Sequence, residues 1–259
     1  MIIDTNVNIS RWPFRRLTGD ETPDLVARLR KRNVVQAWAG SFDAILHKDI
    51  AGVNARLAAD CNTHGKGFLV PFGSINPKLP DWRDDLRRCA QEHRMPGIRL
   101  HPNYHGYQLQ DPVFDELLHM AAANGLIVQL VASMEDIRTQ HPLVRVPPVD
   151  LSALPQIVKD QSSVRLMLLN WWPALRGQKL RPVADTGNIY FDIAMFEGIE
   201  GISRLVDQLS PERVLFGSHF PLFYFEAAQF KIQESGLSED KKAMLLEGNA
   251  RRVLGKARG

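Results

Sequence analysis

Arg213-Val-Leu-Phe-Gly-Ser-His-Phe-Pro221 is the stretch from which the rest of the chain can be read. Three consecutive apolar residues, Val214, Leu215 and Phe216, predict a short buried strand. Gly217 and Ser218 end it abruptly, so His219 is presented at the strand's C-terminal mouth. In a barrel of parallel strands, functional groups gather at those C-terminal ends and face one cavity. The fold therefore turns on whether other strands carry polar residues at the same point.

They do. Residues 1–6 start apolar and turn polar at Asp4-Thr-Asn6-Val-Asn8, and period-two alternation puts Asn6 and Asn8 on one face. Stretch 34–39 predicts a second strand with Trp38 near its end, and 67–74 a third. The fourth, 97–101, places Arg99 and His101 on one face and Ile98 and Leu100 on the other. The fifth, 126–131, has Gln129 as its polar side chain. The sixth, 165–169, runs into Asn170-Trp171-Trp172, and the seventh, 189–193, bears Asp192. Helical patterns lie between them: one after Thr22-Pro23, read as N-cap and first helical residue, then 49–63, 82–93 and 113–123, the last stopped by Asn124-Gly125. Two amphipathic stretches, 223–234 and 239–254, close the chain. Strands interleaved with helices favour a closed α/β architecture, a single (β/α)8 TIM-type barrel over residues 1–259.

The bulk properties fit that reading and exclude others. The chain has 259 residues, 44% hydrophobic and 24% charged, with a formal net charge of +3. A small, dispersed positive charge gives no footprint for nucleic acid or a membrane surface. No apolar run approaches the roughly 18 residues needed to span a bilayer, and no signal peptide is visible. Cys61 and Cys89 fall in helical patterns without metal-type spacing and are read as reduced thiols of a cytoplasmic protein. Two loops stand out. Residues 10–16 carry Trp12, Phe14, Arg11, Arg15 and Arg16, read as a solvated surface with one arginine as a candidate to close the site. Residues 132–148 exceed the usual loop length and are expected to form a flap over the cavity. Homo-oligomerisation is left open by the sequence.

Four motifs in order resemble the amidohydrolase superfamily: Ile3-Asp-Thr-Asn-Val-Asn8, Gly97-Ile-Arg-Leu-His-Pro102, the 213–221 stretch and Gly248-Asn-Ala-Arg-Arg-Val-Leu-Gly255. Within it the chain is similar to the amidohydrolase-related branch, which includes aminocarboxymuconate-semialdehyde decarboxylases, pyrone-dicarboxylate lactonases and sugar lactonases. In metal-dependent members, strand one supplies a His-x-His pair, strands five and six one His each, and strand eight an Asp. The resemblance places Asn6 and Asn8, Val131, Asn170 and His219 at those positions. Neutral amides are poor zinc ligands and Val cannot bind, so no metal and no other cofactor is expected.

The reading that follows is a metal-independent hydrolase, of lactonase or esterase type, acting on a small polar carboxylate, lactone or sugar-derived compound. His219 and His101 are the candidate catalytic residues, with His219 as general acid or base and Arg99 with His101 as contacts for an anion or developing oxyanion. Asn6, Asn8, Gln129 and Asn170 would supply neutral groups to substrate oxygens. Trp38 and Trp171 would offer faces for a ring, and Asp192 would anchor a loop or orient a histidine. Two alternatives stand beside it: a non-catalytic barrel that binds a small ligand, and a decarboxylase of the same branch, whose chemistry there relies on a metal. Catalysis requires His219 to face a cavity beside a second acid or base. A binder can leave it buried and hydrogen-bonded to backbone.

Overall fold

The computed structural model describes residues 1–186 and 189–255. Eight strands run in sequence order around one sheet: β1 (Ile2–Ile9), β2 (Val34–Ser41), β3 (Leu69–Ser74), β4 (Gly97–Leu100), β5 (Ile127–Val131), β6 (Arg165–Leu169), β7 (Ile189–Asp192) and β8 (Val214–Leu215). Every neighbouring pair is parallel. The seam between β8 and β1 is closed largely by the residues that follow β8. Thr5 N–H donates to the Phe216 carbonyl at 2.9 Å, His219 N–H to Asn6 at 2.8 Å and Asn8 N–H to Phe220 at 3.0 Å, and Val7 bridges Phe220. The result is a TIM-type (β/α)8 barrel.

Alternation along the strands separates two apolar layers. Ala37, Ile98, Leu100, Val128, Leu130, Leu166, Leu168, Phe191 and Val214 belong to the layer between barrel and helices. Ile3, Trp38, Phe72, Ile127, Met167, Tyr190 and Leu215 form the barrel interior, where the C-terminal helix Asn249–Gly255 adds Ala250 and Val253. Toward the C-terminal ends the interior turns polar: Asn6 and Asn8 follow Ile3, Gln129 follows Ile127 and Asp192 follows Tyr190, all buried. Apolar packing therefore holds the barrel, and one polar storey sits on top of it.

Several boundaries depart from the sequence reading. The first α-helix is Thr22–Arg30 with Glu21, not Thr22, as its N-cap, and no side chain caps it; Pro23 fixes the first turn instead. The pattern at 82–93 is an α-helix, Trp82–Arg87, continued by a π-helical turn, Arg88–Glu92. The second closing stretch divides likewise into Glu239–Ala243, a π-helical turn Met244–Gly248, and Asn249–Gly255. The stop at Asn124-Gly125 is as expected, with Gly125 at φ 64°. Among the described residues no helix is long and apolar enough to cross a membrane.

Candidate active site

The polar storey is one hydrogen-bonded network. Arg99, on β4 and 1% exposed, points inward and is held from several strands at once. Its Nε donates to Gln129 Oε1 at 2.8 Å, Nη1 to Val7 O at 2.7 Å and to Asn8 Oδ1 at 2.8 Å, and Nη2 to Trp38 O at 3.1 Å. Gly40 makes room for it, since a Cβ there would lie 2.7 Å from Nη1. Burial lowers its pKa to about 9 against the opposing pull of Asp4 and Asp192, so it is a cation at neutral pH. Four of the five N–H groups of the planar fork expected to receive a substrate carboxylate are thus engaged by the protein itself, as an internal strut would be. The sequence reading could not see these main-chain acceptors.

Asn8 relays that geometry to His219. Its Oδ1 faces the guanidinium, which turns Nδ2 toward His219 Nδ1 at 3.4 Å. His219 Nδ1 is therefore the acceptor and Nε2 carries the proton, donated to the Met134 carbonyl at 2.8 Å. His219 sits at φ 60°, a left-handed conformation costly for a side-chain-bearing residue, and its N–H bond to Asn6 O holds it there. Burial depresses its pKa to about 4; the Met134 carbonyl opposes this and Arg99 adds to it. The ring lies at the predicted place but is 0% exposed and sealed beneath the segment that contains Met134. Of the two arrangements the sequence left open for His219, this is the buried one bonded to backbone.

On the opposite side of the mouth, Asn6 Nδ2 donates to Asn170 Oδ1 at 2.9 Å and to Asp192 Oδ2 at 2.7 Å, while Asn170 N–H reaches Asp192 Oδ1 at 2.9 Å. Asn170, at φ 54°, also donates to Ser133 O. Burial raises the Asp192 carboxyl to about 7 and the Asp4 carboxyl to about 6; Asp4 ties Ser218 to the seam through that residue's N–H and hydroxyl. The tryptophans are not platforms. Trp38 is buried and stacked on Phe72 with centroids 5.0 Å apart. Trp171 packs outside the barrel against Phe191 and Phe196 and donates to Asp192 O. Neither ring has a free face, which corrects their assignment to substrate.

His101 differs from all of these. It is 2% exposed, and neither ring nitrogen has a hydrogen-bond partner. Burial, then His105, Arg99 and His219, holds its pKa well below the usual range, so the ring is neutral at pH 7. It lines a chamber of about 10 Å³, room for one water, with Tyr104, Val131 and Met134. The cover is the 132–148 segment, tied down by the Met134 and Ser133 carbonyls, by Asn103 on the Pro147 carbonyl, and by an ion pair between Glu135 and Arg15 of the basic loop. Its outer side borders a groove of about 450 Å³, shared with Trp172, Arg176 and Met195. A larger cavity of about 890 Å³ lies outside the barrel beside the helices Leu180–Ala184 and Gly201–Leu209 and touches none of the predicted site residues. The Arg15–Glu135 pair was hidden from sequence reasoning. Its signal was limited to a basic loop and a long acidic-and-basic insertion, 120 residues apart.

A family model described as amidohydrolase (Amidohydro_2) matches residues 9–256. The chain belongs to the amidohydrolase family. No curated protein matches it in sequence. Solved structures with the same fold include 5-carboxyvanillate decarboxylase from Sphingomonas paucimobilis (14% identity, 98% of each chain, TM-score 0.74). A 2,6-dihydroxybenzoate decarboxylase in complex with 2,6-dihydroxybenzoate is also similar (11% identity, 97% of this chain and 99% of that one, TM-score 0.74). So is 4-oxalomesaconate hydratase from Rhodopseudomonas palustris (17% identity, 100% and 97%, TM-score 0.72). At these identities the likeness establishes the fold. The side chains of this amidohydrolase do not suit the metal found in the metal-dependent members. Amides stand at 6, 8 and 170 and Val at 131, and among the described residues no group of three or more His, Cys, Asp or Glu is arranged to hold an ion.

Proposed function

We propose that this amidohydrolase is a metal-independent acid–base hydrolase of a small carboxylate-bearing lactone or ester, with His101 and His219 as its working pair. The observation that carries the reading is His101: buried, neutral, and without a partner for either nitrogen. Buried polar atoms are nearly always satisfied, and an orphaned imidazole beside a water-sized chamber is suited to a water or a substrate oxygen. The Nε2–H tautomer of His219, set by Asn8, makes that ring a donor once the Met134 carbonyl withdraws.

The division of labour follows. His101 takes a proton from water as the water oxygen bonds to the acyl carbon, and His219 Nε2–H stabilises the oxyanion. The acyl C–O bond then breaks, and the leaving oxygen takes the proton back from His101, giving an acid and an alcohol from an ester or a single hydroxy acid from a lactone. A base with a strongly depressed pKa is weak, and a bound carboxylate would raise it toward the useful range. The similar structures named for carboxylated aromatic substrates support an anionic substrate class. Decarboxylation is the weaker reading, because in this branch it relies on a metal whose donors are replaced here.

A second reading, a non-catalytic barrel for a small ligand, draws on the closed mouth and on the bond from His219 to the backbone of Met134. One experiment separates them. A panel of small lactones, esters and carboxylates is assayed with wild type and His101→Asn. On the hydrolase reading, His101→Asn lowers kcat about 10² to 10⁴-fold with a much smaller change in KM. Binding of a panel member without turnover by wild type transfers the assignment to the ligand-binding barrel.

A further inference from the structure

Glu135 is an unusual residue for a cover. Its side chain is 3% exposed, and it is held by Arg15, itself 44% exposed, from the loop after β1. The neighbouring Tyr104 phenol is pushed up by burial and then by the Glu135 charge. The segment is also held through the main-chain carbonyls of Ser133, Met134 and Pro147, the Ala132 N–H on the Leu169 carbonyl, and the His141 ring stacked on Phe14. Among the described residues, Glu135 is the one side chain of 132–148 that ion-pairs outside the segment. A pure fastening would be stronger with an apolar residue, because burying a carboxylate incurs a desolvation cost that a single pairing rarely recovers. Glu135 also borders the 450 Å³ groove on the outer side of the segment.

We propose that Arg15 is the carboxylate-recognition residue of this site, and that Glu135 fills the subsite as an internal carboxylate while 132–148 is down. The ligand class is a small organic carboxylate, and the inference rests on the reading of an anionic substrate given above. A guanidinium suits the exchange, since its planar fork accepts one carboxylate in place of another with the same geometry. Ligand binding and cover release are then coupled. As 132–148 lifts, Glu135 leaves Arg15, the Met134 carbonyl frees His219, and the substrate carboxylate takes the vacated guanidinium.

The test uses the full chain and 2,6-dihydroxybenzoate as probe, followed by calorimetry, with hydrogen exchange of 132–148 alongside. Glu135→Gln removes the competing anion, so the probe binds roughly tenfold more tightly than to wild type, as expected when a competing internal contact is lost. Glu135→Leu, which keeps an apolar fastening, shows the same tightening. Arg15→Met abolishes binding in either background, and Arg15→Lys recovers only part of it. Exchange across 132–148 rises in Glu135→Gln. Equal or weaker binding by both Glu135 variants, binding by Arg15→Met as strong as wild type, or no binding by any protein overturns the proposal. Turnover by wild type with no tightening in Glu135→Gln removes this subsite and leaves the hydrolase reading standing. Tightening with no turnover does the reverse.

Discussion

At the scale of single residues, Arg99 decides most of the site. Its contacts to Val7, Asn8, Trp38 and Gln129 leave little of the guanidinium for a ligand. Removing it by Arg99→Met orphans four buried acceptors and should cost about 3–5 kcal/mol of stability. Gly40→Ala drives a methyl against Nη1, Cδ and Cζ, which those bonds prevent from yielding, and should cost about 1–3 kcal/mol. Because the second change injures only what the first removes, the double variant should be less destabilised than the sum of the two, as read by urea unfolding. Additive losses would show that Gly40 serves some other neighbour. The inward direction of Arg99 was legible from the alternation of 97–101. Its partners were not, because two of them are main-chain carbonyls, which every residue type carries alike.

At the scale of elements, the strand ends carry opposed titrations. Burial raises Asp4 and Asp192 from an ordinary 3.8 to about 6 and about 7, so the folded chain holds more protons than the unfolded one in that window. Their contribution is full below pH 4 and is lost as pH rises through 6 to 7. His101 and His219 act in the other direction. With His219 lowered from 6.5 to about 4 and His101 lowered as well, the unfolded chain holds the extra protons, and stability rises between about pH 4 and 6.5. The two trends offset in wild type. Asp192→Asn removes the larger of the two acidic contributions, so its melting temperature should climb more steeply than that of wild type from pH 4.5 to 6.5; parallel profiles would mean Asp192 is ionised throughout. Strand order, apolar runs and the Gly125 stop were all readable, since each depends on local residue types. The Glu21 cap and the π-helical turns were not, because tertiary packing selects them over nearby alternatives of similar local cost.

At the scale of the whole molecule, the barrel, the family motifs and a flap at 132–148 could be read from the chain, whereas the contacts that fasten that flap over the mouth could not. His219 was placed at the right strand end, but its partner lies on an insertion whose path no periodicity describes. That closure bears on rates. With 132–148 fastened at Met134, at Pro147 and at Glu135, and room in the chamber for about one water, an incoming molecule waits for the segment to lift. In stopped-flow mixing with 2,6-dihydroxybenzoate, the observed association rate should level off as the carboxylate concentration rises, at a ceiling equal to the opening rate. Glu135→Gln should lift that ceiling, and a rate that kept rising in proportion to concentration would mean the mouth stands open in solution. Above that ceiling, encounter with substrate would be clocked by the protein's own opening rather than by diffusion, so a further rise in supply would no longer quicken the chain's response.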